Sequence, residues 1–146
     1  ALVHDVIVAV GFFALIGIPL GLEVNLMFIT GILAVIGYSV NDTVIVFDRI
    51  RENRIKNPQQ NFAAIVNKSL VETLTRSINT GLTTVVVILA LLLFIGATIQ
   101  NFSIIMFIGV VTGIYSSIFI AAGLLVVWEN NEWKRFIPWL KNDKAK

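Results

Sequence analysis

The sequence predicts an all-α polytopic membrane protein, a bundle of four transmembrane helices with both termini cytoplasmic, and three observations lead there. The chain of 146 residues is 57% apolar and 14% charged, with a mean hydropathy of +0.87, a composition whose natural solvent is mostly lipid. Four stretches meet the requirement of about 20 predominantly apolar residues for crossing a hydrocarbon core: spans of about 4–22, 26–48, 77–99 and 102–128. All 11 Lys and Arg fall in Arg49 to Arg76 (six) or Lys134 to Lys146 (five), and none in the short loops Gly21 to Asn25 and Gly96 to Asn101. By the positive-inside rule the 49–76 loop and the carboxyl tail are cytoplasmic and the short loops face outward. Backbone groups immersed in hydrocarbon must be bonded within their own segment, so each span reads as a helix and residues 1–130 as one transmembrane domain.

The first span opens with His4 and Asp5 at its cytoplasmic mouth. There a helix N-terminal carboxylate beside an interfacial His is the favoured reading, and a proton-entry role is the alternative. Gly17 and Gly21, four apart near the outer end, offer a small-residue packing face that Pro19 can loosen. No initiator Met, basic n-region or small-residue cleavage site accompanies this span, so it does not read as a secretory signal, and the chain reads as a piece of a longer protein.

The second span contains Leu26 to Phe47, 22 residues with one charge, Asp42. It is expected to continue as a helix through Arg54, until Asn57-Pro58 breaks it and a new helix starts. In the loop, Phe62, Ile65, Val66, Leu70, Thr73 and Leu74 recur at helical spacing, which predicts an amphipathic helix along the cytoplasmic interface. Asp48, Arg49, Arg51, Glu52 and Arg54 suit a solvated helix end bound to lipid headgroups or a cytoplasmic partner.

In the third span Arg76, Asn79, Thr80, Thr83 and Thr84 share one helix face. A polar stripe two turns deep is wasted against lipid, so it is expected to face other helices or a hydrated path; simple Ser/Thr glue between helices, at about 0.6 kcal/mol each, is the competing reading. The fourth span carries Gly109-x-x-x-Gly113, with Ser116 and Ser117 a turn further on, as a small-residue face for close helix packing. Trp128, Trp133 and Trp139 fit an aromatic belt, and residues 131–146 form a cytoplasmic tail in which Pro138 opposes a long helix.

A carboxylate at the centre of a spanning helix costs roughly 2.5–3.5 kcal/mol on insertion scales, so Asp42 demands a functional reason and a partner. At about 1.5 Å per residue, Asp42 lies about 24 Å and Arg76 about 30 Å from the outer ends of their spans, which puts an ion pair or a water-bridged contact within reach. Desolvation disfavours the charged carboxylate and a nearby guanidinium favours it. An acid whose charge depends on its neighbours can couple proton passage to helix movement, so Asp42 and Arg76 are the candidate proton relay, with Tyr38 and Asn41 as further pathway-lining candidates beside the third-span stripe. The bland alternative is a static Asp42–Arg76 salt bridge, or an Asp42 hydrogen-bonded to Tyr38 or Ser39. Glu72, four residues before Arg76, competes for the same guanidinium.

With one His, no Cys, no nucleotide-binding glycine loop and no clustered metal ligands, no enzyme signature survives, and no cofactor or metal is expected. The net charge of +2 sits as a basic cytoplasmic face beside anionic lipid, with no call for nucleic acid.

The run from Gly37 to Asn53, GYSVNDTVIVFDRIREN, resembles the signature of the SecF family of protein-export membrane proteins, in the resistance-nodulation-division superfamily. Ala1-Leu2-Val3-His4-Asp5-Val6 resembles the start of that family's third transmembrane helix, and Leu74-Thr75-Arg76-Ser77-Ile78-Asn79-Thr80 the entry to its fifth. The resemblance implies the carboxyl-terminal four-helix part of SecF, or of a fused SecDF, in the bacterial cytoplasmic membrane or its archaeal or thylakoid counterpart. It implies SecD and the SecYEG channel as partners, with SecA, preprotein, YajC and YidC around them, and the proton-motive force, or a sodium gradient, as the driver of late preprotein translocation. By motif position Asp42 is the intramembrane relay aspartate and Arg76 its neighbouring arginine, facing an aspartate in SecD. The alternatives are a scaffold subunit that stabilises SecD and the channel without carrying protons, or a superfamily transporter of lipid or drug. For the topology, cysteines at Asn57 and Asn101 are expected to be labelled from opposite sides of the membrane; labelling from the same side overturns it.

Overall fold

A computed structural model describes residues 1–96 and 99–129. Four helical rods make up the bundle: α1 (Leu2–Leu20), α2 (Leu26–Lys56), α3 (Phe62–Phe94) and a fourth made of α4 (Gln100–Tyr115), a π-helical turn (Ser116–Ala121) and α5 (Ala122–Glu129). No strand occurs among the described residues. All four rods are long and apolar enough to cross a membrane. Two helix starts have a local cause: Asn25 accepts from the Phe28 amide and Asn61 from the Ala63 amide, both at 3.0 Å, relieving amides that no helical carbonyl can reach.

The tail 131–146, with Trp133, Trp139 and Pro138, lies outside the described residues, as do residues 97 and 98. The stretch 62–76 is not a separate interfacial helix but the first four turns of α3, which runs unbroken for 33 residues. Its physical reason is that Pro58 is spent in the turn and no second breaker follows before Phe94. At about 1.5 Å per residue α3 is about 50 Å long, well beyond a hydrocarbon core of about 30 Å, so α2 and α3 rise out of the bundle's apolar part as one antiparallel hairpin.

Gly17 and Gly21 do not pack against another helix. Gly21 caps α1 in the left-handed conformation (φ 62°, ψ 32°), and Leu22 folds back so that its amide reaches the Gly17 carbonyl at 3.0 Å. A Cβ on Gly17 would touch only Leu22 and Phe13, and one on Gly21 nothing. The close helix crossings lie elsewhere. A Cβ on Gly109 would overlap Val35, and one on Gly31 would overlap Ile105, so α2 and α4 meet nearly backbone to backbone. Gly113 sits in ordinary contact with Tyr38 and Ser39 of α2, and a Cβ on Gly81 of α3 would overlap Ile114.

Inside the bundle two apolar clusters stand apart. Ala9, Phe13, Phe28 and Ile105 form one, with the Phe13 and Phe28 rings 4.5 Å apart, and Val46, Ile50, Val66 and Ala122 form the other. Between them, in helix register, lies a polar layer of Asp5, Ser39, Asp42, Ser77, Ser116 and Ser117, all buried. The outer faces carry the large apolar side chains, Ile7, Leu15, Ile18, Leu33 and Leu93 among them. This inversion suits a bundle whose surroundings are lipid or other membrane helices.

Near the α2–α3 turn Arg49, Glu52, Arg54 and Lys56 of α2 pair within the chain. Arg49 reaches Glu72 at 2.7 Å and Glu52 at 2.5 Å, Lys56 reaches Glu52 at 2.5 Å, and Arg54 reaches Glu129 at 2.6 Å while lying over the Phe62 ring. Glu72 is therefore held by Arg49 and by the Asn53 amide (2.8 Å), not by Arg76 as helix spacing allowed. At the opposite end Asn101 is 9% exposed and donates to the Glu23 carbonyl at 2.8 Å, so Val24, 72% exposed, is the better labelling position there.

Replacing Gly109 by Ala should destabilise the folded protein by about 1–3 kcal/mol, because the β-branched Val35 has no rotamer that clears the added methyl. Gly11, with open space around it, is the control: Gly11→Ala should leave the thermal midpoint unlowered. Equal midpoints for both variants in the detergent-solubilised full-length protein would contradict the close α2–α4 crossing.

Candidate functional site

The inward face of α2 is written by Val35, Ser39, Asp42, Val46, Ile50 and Asn53, every third or fourth residue of one stripe. Asp42 lies in the middle of this stripe and is 5% exposed. Its partners come from two other rods. Ser77 Oγ of α3 donates to Asp42 Oδ1 at 2.9 Å, and Ser117 Oγ of the π-helical turn donates to Oδ2. Each carboxylate oxygen thus has one hydroxyl donor. Ser117 also lies 3.2 Å from the Ile114 carbonyl, a second acceptor for the same hydroxyl.

A serine hydroxyl carries one proton and two lone pairs and rotates freely. It donates to a carboxylate, and it accepts from a carboxylic acid after turning its own proton elsewhere. A guanidinium has no acceptor and stabilises only the ionised form. The hydroxyl clamp therefore satisfies Asp42 in both protonation states, which a salt bridge cannot.

Among the described residues no ion pair joins Asp42 to Arg76. Arg76 is exposed on α3 and lines a polar crevice of about 470 Å³ with Asp48, Arg49, Glu52, Glu72 and Thr73. The reason is angular: Ser77, the next residue, takes the inward direction with Ser69, Thr73 and Gly81, all buried, so Arg76 is turned outward. Asn79, Thr80 and Thr83 are exposed on the same outer side and Thr84 is partly buried. Arg76, Asn79, Thr80 and Thr83 thus face away from the chain's own helices while Thr84 turns toward Tyr38 of α2, and two of the threonines bond to their own backbone, Thr83 to the Asn79 and Thr80 carbonyls and Thr84 to the Thr80 carbonyl. Asn41 is also exposed, beside Asp42 but off the inward stripe. The Tyr38 hydroxyl is buried over Gly81, with Thr84 of α3 as its side-chain neighbour. It does not hold Asp42, and neither does Ser39.

Ser39 instead binds a second acid. Asp5, placed by the sequence at the rim of the first span, is 0% exposed. Its Oδ2 accepts from Ser39 Oγ at 2.6 Å and from Ser116 Oγ at 2.7 Å, and its Oδ1 lies 3.2 Å from His4 Nδ1. Sequence reasoning named Asp5 with His4 but favoured a helix-end charge over a proton-entry role, and its burial and serine partners were missed because the first turn of α1 reads as a helix end. The signal that marks it is the coincidence of Asp5 with Ser39 and Ser116, three side chains far apart in the chain that only the fold brings to one level. No His/Asp/Glu group able to hold a metal ion occurs among the described residues.

Comparison with known proteins gives these side chains a family context. Residues 1–131 match the family model described as protein export membrane protein SecD/SecF, C-terminal. The chain is 50% identical over 135 residues to the protein translocase subunit SecF of Thermobaculum terrenum, covering 92% of the chain and 43% of that protein. It is 47% identical over 137 residues to the SecF subunit of Anaerolinea thermophila, covering 93% and 44%, and 47% identical over 135 residues to that of Rickettsia typhi, covering 92% and 42%. The chain spans less than half the length of these relatives. Among solved structures it is similar to the crystal structure of SecDF in a super-membrane-facing form, with a TM-score of 0.79 at 38% identity, over 94% of this chain and 18% of that one. A match that runs through all four rods, at this identity, means that the chain belongs to the SecD/SecF family of protein-export membrane proteins.

Proposed function

We propose that this chain is the carboxyl-terminal membrane part of a SecF subunit and that, with SecD, it couples the proton-motive force to late steps of preprotein translocation beside SecYEG and SecA. The observation that carries this reading is Asp42: a buried acid held by two hydroxyls and no cation, an arrangement that can satisfy it with or without a proton. Its setting is the bacterial cytoplasmic membrane, with the α2–α3 turn and its ion pairs on the basic cytoplasmic side. YajC and YidC belong to the wider assembly in this reading. The outward stripe of Arg76, Asn79, Thr80 and Thr83 supplies the surface for SecD, and Arg76 is the guanidinium available to an acid on that partner. Arg76 then acts on the proton path across the subunit boundary, near Asp42 but not locked to it.

The coupling ion is the proton. Sodium is the alternative, since the Ser77 and Ser117 oxygens can turn their lone pairs to a cation as well as donate to Asp42. Export that is stimulated by a sodium gradient after the proton gradient is collapsed would favour sodium.

In the complete SecD–SecF assembly reconstituted with SecYEG and SecA, Asp42→Asn should leave assembly intact and remove the gradient-stimulated increment of export. Undiminished gradient stimulation would reject the relay. Should the chain serve only as a scaffold, with Asp42 and Arg76 merely pairing, the exchange Asp42→Arg with Arg76→Asp restores export. The relay reading expects no restoration, because the arginine enters a site built of hydroxyl donors.

A further inference from the structure

Asp5 is the most completely buried acid among the described residues, yet the relay reading gives it no task. Burying an ionised carboxylate is costly unless it is paired and hydrogen-bonded, and here the pairing is specific: two serines from two different rods converge on one oxygen. One of them, Ser39, stands one turn from Asp42 on the same stripe of α2. The other, Ser116, is the sequence neighbour of Ser117, which binds Asp42. The two acids are therefore joined twice, through one turn of α2 and through two consecutive hydroxyls of the fourth rod.

Those consecutive serines open a π-helical turn, Ser116–Ala121. Such turns are rare and tend to occur at functional sites, and the residue they hold in excess of an α-helical turn gives the backbone an alternative register. We propose that Asp5 is a second protonatable carboxylate of this bundle, linked to Asp42 through Ser116 and Ser117 of the π-helical turn, so that the two acids gain and lose protons as a coupled pair.

The groups around both acids are few. Asp5 meets His4 from α1, Ser39 from α2 and Ser116 from the π-helical turn; Asp42 meets Ser77 from α3 and Ser117 from that turn, with Tyr38 one turn away on α2. No Lys or Arg approaches either acid within ion-pair distance among the described residues. The two carboxylates are joined through the consecutive Ser116 and Ser117 hydroxyls, so a change of hydrogen bonding at one is passed to the other. When Asp42 takes a proton, its O–H donates to Ser117 Oγ and the Ser117 proton turns to the Ile114 carbonyl, 3.2 Å away; every donor keeps an acceptor. His4, partly exposed beside Asp5, links this second acid to the surroundings of the bundle.

This inference deepens the relay reading of Asp42 and rests on it, so the test separates the two. Carboxyl stretching bands are followed by infrared difference spectroscopy while pH is varied, in the complete reconstituted translocase. Two titrating carboxyl groups should appear, one lost in Asp42→Asn and the other in Asp5→Asn. In Asp5→Asn the Asp42 midpoint should move, since the group linked to it through Ser116 and Ser117 is changed. Ser116→Ala, which keeps both acids and so guards against a folding defect of Asp5→Asn, should move both midpoints by cutting the link between them. An Asp42 midpoint unmoved in Asp5→Asn overturns the coupling and leaves the relay standing. An Asp42 band that never titrates overturns both. A purely structural Asp5 predicts a lower unfolding temperature in these variants with the Asp42 midpoint unchanged.

Discussion

The arrangement depends on how a carboxylate is kept inside an apolar bundle without a cation. Asp42 enters the interior on the inward stripe of α2 and finds Ser77 and Ser117 there as donors. Neither serine is expensive to bury, and interhelical hydrogen bonds of this kind contribute about 0.6 kcal/mol each, to a maximum of about 1.7. At the average value the two together offset only part of the roughly 2.5–3.5 kcal/mol cost of a charge at mid-helix. The hydroxyls can serve the acid with or without its proton, because each can donate or accept.

The rest of the bundle serves this layer. Gly31 and Gly109 bring α2 and α4 close enough for Ser117 to reach Asp42, and Gly81 does the same for α3 against Ile114. The apolar clusters around Phe13 and Val46 close the layer from both ends, so the hydroxyls rather than bulk water decide how the acids are solvated. The ion pairs near the α2–α3 turn are largely exposed and add little stability singly. Their contribution is to hold α2, α3 and α5 in register at the end of the bundle where a one-residue slip would misalign every serine.

Much of this was legible in the residues. Hydropathy marks all four rods, and the isolated charge in Leu26 to Phe47 singles out Asp42 by composition alone. The continuous α3 escaped because a change from amphipathic to apolar pattern at residue 76 looks like a boundary, although nothing in the backbone breaks there. The Asp42–Arg76 contact was drawn from depth alone; depth does not fix azimuth, and the neighbouring Ser77 has the inward direction. Gly17 and Gly21 show the same limit, since four-residue spacing describes a packing face and a helix cap equally well, and only the φ of 62° at Gly21 decides between them. Asp5 lay hidden because its partners are 34 and 111 residues away, a separation that no local pattern spans.

Central to the chemistry is that Asp42 is held by hydroxyls and not by the guanidinium one residue from Ser77. A pair of double-mutant cycles on the stability of the assembled protein measures this directly, one crossing Asp42→Asn with Ser117→Ala and the other crossing Asp42→Asn with Arg76→Gln. The predicted result is a coupling of about 0.6–1.7 kcal/mol for the serine and none for the arginine. A large coupling to Arg76 with none to Ser117 would contradict it.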